Sequence, residues 1–176
     1  MDFFHSNRIA KLREIARSWE GTPFRKNSEA QGQGGGVDCV RLVACILEEV
    51  GAIETIDRTL FPRYNIDHGQ HNRESVIERV LIRVGMLREG SSGPVGGRDK
   101  VIRNINRIKA GDIICANFGQ CVHHLAIYLG DGDVVSAYPP KGTLFFRVCD
   151  RLPSNPRKTL RDVFAYAIRI QERGMG

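Results

Sequence analysis

The sequence predicts an α+β fold, with N-terminal helices packed on a C-terminal antiparallel sheet of about five or six strands. Three observations carry this expectation. Apolar residues recur three and four apart through the first half of the chain. From Asp112 onward the chain breaks into short segments rich in β-branched and aromatic residues. Gly-Asp and Pro-Pro steps punctuate those segments.

Taken in order, Ser6 is placed to cap a first helix that carries Ile9, Leu12, Ile15 and Ala16 on one face, and Gly21 and Pro23 end it. Residues 25–37, RKNSEAQGQGGGV, are polar and glycine-rich and read as a loop. A second helix spans about Cys39 to Val50, with Asp38 at the capping position and Gly51 as its stop. Its apolar positions are Cys39, Leu42, Val43, Ile46, Leu47 and Val50, one unbroken stripe. Residues 52–72 are irregular, and a third helix is expected over roughly 73–88 on Val76, Ile77, Val80, Leu81, Val84 and Leu87. GSSGPVGG, residues 90–97, reads as a flexible loop.

The strand candidates are DIICANF, HHLAIYLG, DVVSAY, TLFFRV and VFAYAIRI. Between the second and third, Leu129–Val134 has the Asp-Gly signature of a hairpin turn. No internal repeat appears, so residues 1–176 are read as a single domain with an irregular and helical insertion around 52–108.

Composition excludes several classes. Hydrophobic residues at 41% and charged residues at 26% give an ordinary globular balance. The net charge of +6 comes from scattered arginines and lysines, with no basic run and no nucleic-acid-binding motif. Such a field attracts any polyanion, a cell wall included. The five cysteines are odd in number and lack a repeated CxxC spacing, which argues for free thiols rather than a disulfide framework. No segment reaches the length of a membrane span, and the N-terminus lacks the apolar core and cleavage site of an export signal. The expectation is a soluble chain.

The stretch GGGVDCVRLV places Cys39 at the first turn of a helix. There the macrodipole and the unpaired backbone amides favour a thiolate and an oxyanion. Helix N-termini lower a cysteine pKa from near 8.5 into a range of roughly 3.5–7.5. The competing reading is that Cys39 is a small hydrophobe on a buried stripe. A partner base decides between them. Two candidates, His123 and His124, head the segment HHLAIYLGDG. Strand alternation puts His124, Ala126 and Tyr128 on one face and His123, Leu125, Ile127 and Leu129 on the other. The second set is the more apolar, so one histidine is expected to reach the helix end and the other not. Periodicity leaves open which one.

GTPF at 21–24, GGGVDCVRLV at 34–43, KAGDII at 109–114, HHLAIYLGDG at 123–132 and VVSA at 134–137 follow one another along the chain. Together they resemble the NlpC-type cell-wall cysteine peptidases, which have a papain-like α+β fold. The resemblance places the nucleophile at Cys39 and the base at His124, since the family histidine is followed by x-x-Ile-Tyr. It puts the third polar residue, usually His, Asn or Gln, at Ser136. Asp38, Phe24 and Arg41 are then the candidate substrate-binding residues. Phe24 stands where the family carries a tyrosine, and Val40-Arg41 replaces the usual Ser-Gly. Arg41 is read either as a partner for a substrate carboxylate or as a solvent-facing helix residue.

The resemblance implies hydrolysis of amide bonds in peptidoglycan stem peptides, commonly the link between D-γ-glutamate and a diamino acid, with no cofactor and no metal. The long loop before Cys39 and the 52–97 segment look more like phage-tail and gene-transfer-agent members. That implies phage-tail components as partners, and either a cytoplasmic location or carriage to the wall with a particle. Two other classes remain in view. One is a tail-associated structural protein that kept the fold and lost activity, suggested by Ser136, Phe24 and Val40-Arg41. The other is a metal site on Cys115, Cys121, His123 and His124, whose spacing fits zinc poorly. Cys115 reads better as a strand core residue, and His68 and His71 as surface residues or groove liners.

Overall fold

The computed structural model describes residues 1–61 and 68–172. Part of the irregular 52–72 segment, residues 62–67, therefore lies outside the described residues, as does the side chain of His68.

The first helix, α1 (Ser6–Ser18), is capped by His5 rather than Ser6, and no side chain closes the cap. Its start is tied down by Arg8 instead, which lies over the Phe3 ring at 4.1 Å and pairs with Glu172 at 2.7 Å. A short ladder of β1 (Glu29–Ala30) and β2 (Gly36–Val37) follows, and then α2 (Cys39–Glu49). The α2 stripe forms as expected. Leu42 and Ile46 are sealed from solvent, and burial of each contributes roughly 1.5–3 kcal/mol. Gly51 takes the left-handed φ of 79° that closes the helix.

The insertion holds a short helix, α3 (His68–His71), and then α4 (Val76–Arg83). The latter is shorter than the 73–88 expected. Ser75 caps it by accepting from the Glu78 amide at 3.0 Å, and Gly85, at φ 76°, ends it. Leu87 belongs instead to β3 (Leu87–Arg88), which pairs with β4 (Val95–Gly96). The stretch expected to be a flexible loop is thus partly a strand, because this hairpin satisfies its backbone groups.

The main sheet has six antiparallel strands: β5 (Lys100–Ile102), β6 (Ile113–Asn117), β7 (Val122–Gly130), β8 (Asp133–Tyr138), β9 (Gly142–Arg147) and, after a small hairpin, β12 (Phe164–Arg169). That hairpin is β10 (Arg151–Leu152) with β11 (Asn155–Thr159), and α5 (Leu160–Val163) leads into β12. The spatial order is β5-β12-β6-β7-β8-β9. The β7–β8 turn is the predicted one. Asp131 and Gly132 both have positive φ, 56° and 92°, as a two-residue hairpin loop requires. The sheet separates two cores. Ile113, Cys115, Leu125, Ile127 and Val135 pack with α1, α2 and α4. Ile114, Ala116, Ala126, Val134 and Tyr138 pack on the other side with Phe146, Leu160 and Val163. The architecture is α+β, with helices on a C-terminal antiparallel sheet.

Candidate active site

The start of α2 is built by Asp38. One of its carboxylate oxygens accepts from the Arg41 amide at 2.9 Å, which is the capping bond. The other accepts from the Asn27 amide and from Arg41 Nη1, each at 2.8 Å. Both residues are buried, with Asp38 2% and Arg41 7% exposed. The Arg41 guanidinium lies 5.3 Å over the Phe61 ring. Arg41 is therefore not on the solvent side of the helix, since its charge is taken up by the capping carboxylate. This lock fixes Cys39 at the first turn of α2, 4% exposed.

Cys39 borders a cavity of about 300 Å³. Its lining includes the rings of Phe24, Phe118, His123, His124 and Tyr138 and the polar side chains of Gln70, Asn117, Ser154 and Lys158. Phe24 and Cys39 border the same cavity. Asp38 and Arg41 are not among the residues bordering the cavity, and act behind Cys39 rather than in front of it.

Both histidines reach the cavity, against the expectation that alternation admits only one. The reason is a register shift. Ala116 pairs with His124 and Asn117 with Val122, so His123 is an extra residue in β7. A bulge of this kind breaks strict alternation where it occurs. The connection before it is held by α3. Gly69 accepts from the Gln120 amide at 2.6 Å, and a Cβ on Gly69 would come within 2.9 Å of the His123 Cβ.

His124 is 4% exposed and packed between rings. Phe118 stacks on it at 4.7 Å with the planes 3° apart, and the Tyr138 ring centroid lies 4.2 Å away. Burial lowers its pKa from 6.5 to about 3, with His123 pushing the same way, so the imidazole stays neutral in ordinary buffers.

Ser136 sits on β8 with its Oγ 2.8 Å from His124 Nε2. The same hydroxyl donates to the Leu125 carbonyl at 2.6 Å. A hydroxyl has one proton, and the carbonyl takes it. Toward the histidine Ser136 is therefore an acceptor, and His124 Nε2 carries the hydrogen. That leaves the lone pair on Nδ1. Ser136 thus holds one ring nitrogen of His124 and brings no charge.

The remaining candidates fall elsewhere. Cys115 is a fully buried β6 core residue whose thiol pKa burial pushes far up. His71 is exposed. Among the described residues no three His, Cys, Asp or Glu side chains converge as a metal-ligand set, and no helix is long and apolar enough to cross a membrane. Sequence reasoning missed Phe118, Tyr138 and Lys158. Of these, only Tyr138 had a signal, as it follows Ser136 by one strand period.

The architecture is the NlpC/P60 form of the papain-like fold. A Staphylococcus aureus protein described as similar to lipoprotein, NLP/P60 family, superposes with TM-score 0.55 at 19% identity. That match covers 97% of this chain but 43% of the staphylococcal one, so this chain spans less than half of that protein. The P60 domain of a Mycobacterium avium subspecies paratuberculosis antigen gives TM-score 0.52 at 18% identity, covering 95% of this chain and 97% of that one. Mycobacterium tuberculosis RipD, described as a non-catalytic NlpC/p60 domain protein adapted to peptidoglycan binding, gives 0.51 at 15%, covering 95% and 100%. The sequence itself matches no family model and no curated protein.

Proposed function

We propose that this chain is a cysteine hydrolase that cuts amide bonds in peptidoglycan stem peptides, of the D-γ-glutamyl–diamino acid kind. One observation carries the reading. A helix-end thiol and an imidazole whose Nδ1 holds the lone pair border the same cavity. The fold supports the substrate class, since its solved neighbours include the peptidoglycan hydrolase RipB of M. tuberculosis, at TM-score 0.50.

In this scheme His124 Nδ1 takes the Cys39 proton as sulfur attacks the amide carbonyl carbon. The carbonyl π electrons move onto oxygen, where first-turn amides that the helix ladder does not use stabilise them. The intermediate collapses, the C–N bond breaks, and the imidazolium gives its proton to the leaving amine. Water then attacks the thioester, again with His124 as base, and the thiol is restored. Because burial keeps the imidazole neutral, proton transfer accompanies attack rather than preceding it as a stored ion pair. Phe24 packs beside the acyl group. Asp38 and Arg41 serve substrate binding only indirectly, by holding the helix end. Partnership with a phage-type particle remains part of this proposal, supported by the long loop before Cys39.

The test is digestion of purified peptidoglycan, read by product masses. Wild type releases stem-peptide fragments, and Cys39→Ala releases none. Equal digestion by both proteins sinks the reading.

A second reading has its own support. Ser136 is an uncharged orienter, and RipD carries this fold in a form described as non-catalytic. A passive peptidoglycan binder would sediment with insoluble peptidoglycan and release no fragments, with wild type and Cys39→Ala alike.

A further inference from the structure

Among the described residues that border the cavity, Lys158 alone carries a fixed charge, and none is acidic. No described carboxylate forms an ion pair with its ammonium. The nearest acid along the chain is Asp162, whose Oδ2 is occupied by the Thr159 amide and hydroxyl at 2.7 and 2.9 Å. Of the groups that lower the Asp162 pKa, Lys158 comes last, after Thr159 and Arg151.

The placement of Lys158 is built into the hairpin. Arg151 pairs with Thr159 and Leu152 with Asn155, so Pro156, Arg157 and Lys158 stand opposite no β10 residue. On an unbroken strand Asn155 and Lys158, three apart, would face opposite ways. Both border the cavity, because a bulge re-aims the side chains that follow it. The hairpin cannot drift, since Leu152 and Leu160 are both buried in the second core. The polar neighbours of Lys158 in the lining are neutral groups that can donate: Gln70, Asn117, Ser154 and Asn155. Asn155 Oδ1 accepts from the Arg157 amide at 3.0 Å, which leaves its Nδ2 hydrogens to donate. An ammonium among neutral donors, with no acid beside it, suits an anion.

At about 300 Å³ the cavity is small, so a group held at Lys158 and an amide seated at Cys39 belong to one ligand. A γ-linked glutamyl residue keeps its α-carboxylate outside the amide chain. A diamino acid brings a carboxylate on the leaving side. We propose that Lys158 is a specificity-determining residue that pairs with a free carboxylate beside the scissile amide, so that the cavity takes the acidic peptide and discriminates against its carboxamide. This rests on the hydrolase reading above and names the substrate feature that the site reads. Lys158 takes no part in making or breaking bonds.

The probes are a synthetic γ-D-glutamyl–diamino acid peptide and two analogues, each with one carboxylate converted to a carboxamide. Binding is followed by NMR titration of the full-length Cys39→Ala protein, which needs no turnover. The acidic peptide should bind at least ~5-fold more tightly than one of the carboxamides, the upper end for an exposed ion pair, and less so in high salt. Which carboxamide loses affinity tells the acyl side from the leaving side. Adding Lys158→Met should weaken the acidic peptide by the same factor and leave that carboxamide unchanged. Lys158→Arg should keep the preference, and Lys158→Glu should reverse it. With Cys39 present, Lys158→Met should raise KM for the acidic peptide about 5-fold and leave kcat within about twofold. If neither carboxamide binds more weakly, or if the preference survives Lys158→Met, the proposal fails whatever the wild type hydrolyses. If the preference depends on Lys158 but the wild type cleaves nothing, the carboxylate site stands and the hydrolase reading falls. If no form of the peptide binds, both fall together.

Discussion

The helix end behind Cys39 and the strand wall of the cavity solve opposite problems. The helix end is charged and closed on itself, and the pair that makes it lies behind the cavity lining. Asp38 and Arg41 are buried as a pair at 2.8 Å, with further bonds to the Arg41 and Asn27 amides. The strand wall is neutral and aromatic. Its imidazole is stacked on Phe118, hydrogen-bonded to a serine and held uncharged by burial. The difference teaches where charge is tolerated in this site. Behind Cys39, a formal pair makes a rigid cap that fixes the helix start. In front of it, burial keeps the imidazole of His124 uncharged.

Breaking the charged helix end should have the largest effect. Arg41→Met leaves the Asp38 carboxylate buried without its counter-ion, although it keeps its two amide bonds. Removing one partner of a buried pair costs about 3–5 kcal/mol. Urea unfolding should show a loss of that size, and Asp38→Asn combined with Arg41→Met should recover part of it, since the amide removes the buried charge but keeps an acceptor for only one of the two backbone N–H groups. A loss under about 1 kcal/mol would mean the pair behaves as a surface one, and the contrast between the two regions would vanish.

The neutral wall is tested by acid. Unfolded, His124 takes up its proton near pH 6.5, whereas the folded protein does so only near pH 3. Between those values the unfolded chain holds more protons, so stability rises with pH through the window and is lost as pH falls. From pH 7 to pH 5 the His124 share of that loss is roughly 2 kcal/mol, at 1.36 kcal/mol per unit below 6.5. His124→Gln cannot titrate, so its unfolding free energy should drop by that much less over the same interval. Parallel pH curves for the two proteins would show that the imidazole is hydrated and the wall is not closed.

The helix end was legible in the sequence and the strand wall only in part, for a physical reason. A helix cap and an apolar stripe are local, and Asp38, Leu42 and Ile46 declare themselves within a few residues. The hairpin turn at Asp131-Gly132 is equally local, since both positions require positive φ. The bulge at His123 depends on how β7 pairs with β6, and no short window of sequence contains that pairing. Composition also hid β10 and β11, because NPRKT shows no apolar alternation although it brings Lys158 to the cavity. The hydroxyl of Tyr138 was visible as a residue, but its lack of a partner is a property of the assembled core.

Ser136 offers the finest test of the contrast, because its effect passes through a single hydrogen. Its own proton is committed to the Leu125 carbonyl, so it can only accept from His124 Nε2. Ser136→Ala removes that acceptor, and neither tautomer of His124 is then held. Part of the population then carries the hydrogen on Nδ1, where it blocks the base. The loss also frees the ring to rotate against Phe118. The expected outcome is a kcat lowered about 10-fold, near 1.4 kcal/mol, with KM unchanged, because Ser136 does not border the cavity. Nitrogen chemical shifts of His124 should report the Nε2–H form in wild type and a mixture in Ser136→Ala. Ser136→Asn, which restores an acceptor oxygen, should recover the single tautomer and part of the rate. If wild type carries its hydrogen on Nδ1 instead, the serine is a donor and the strand wall presents the wrong nitrogen to Cys39.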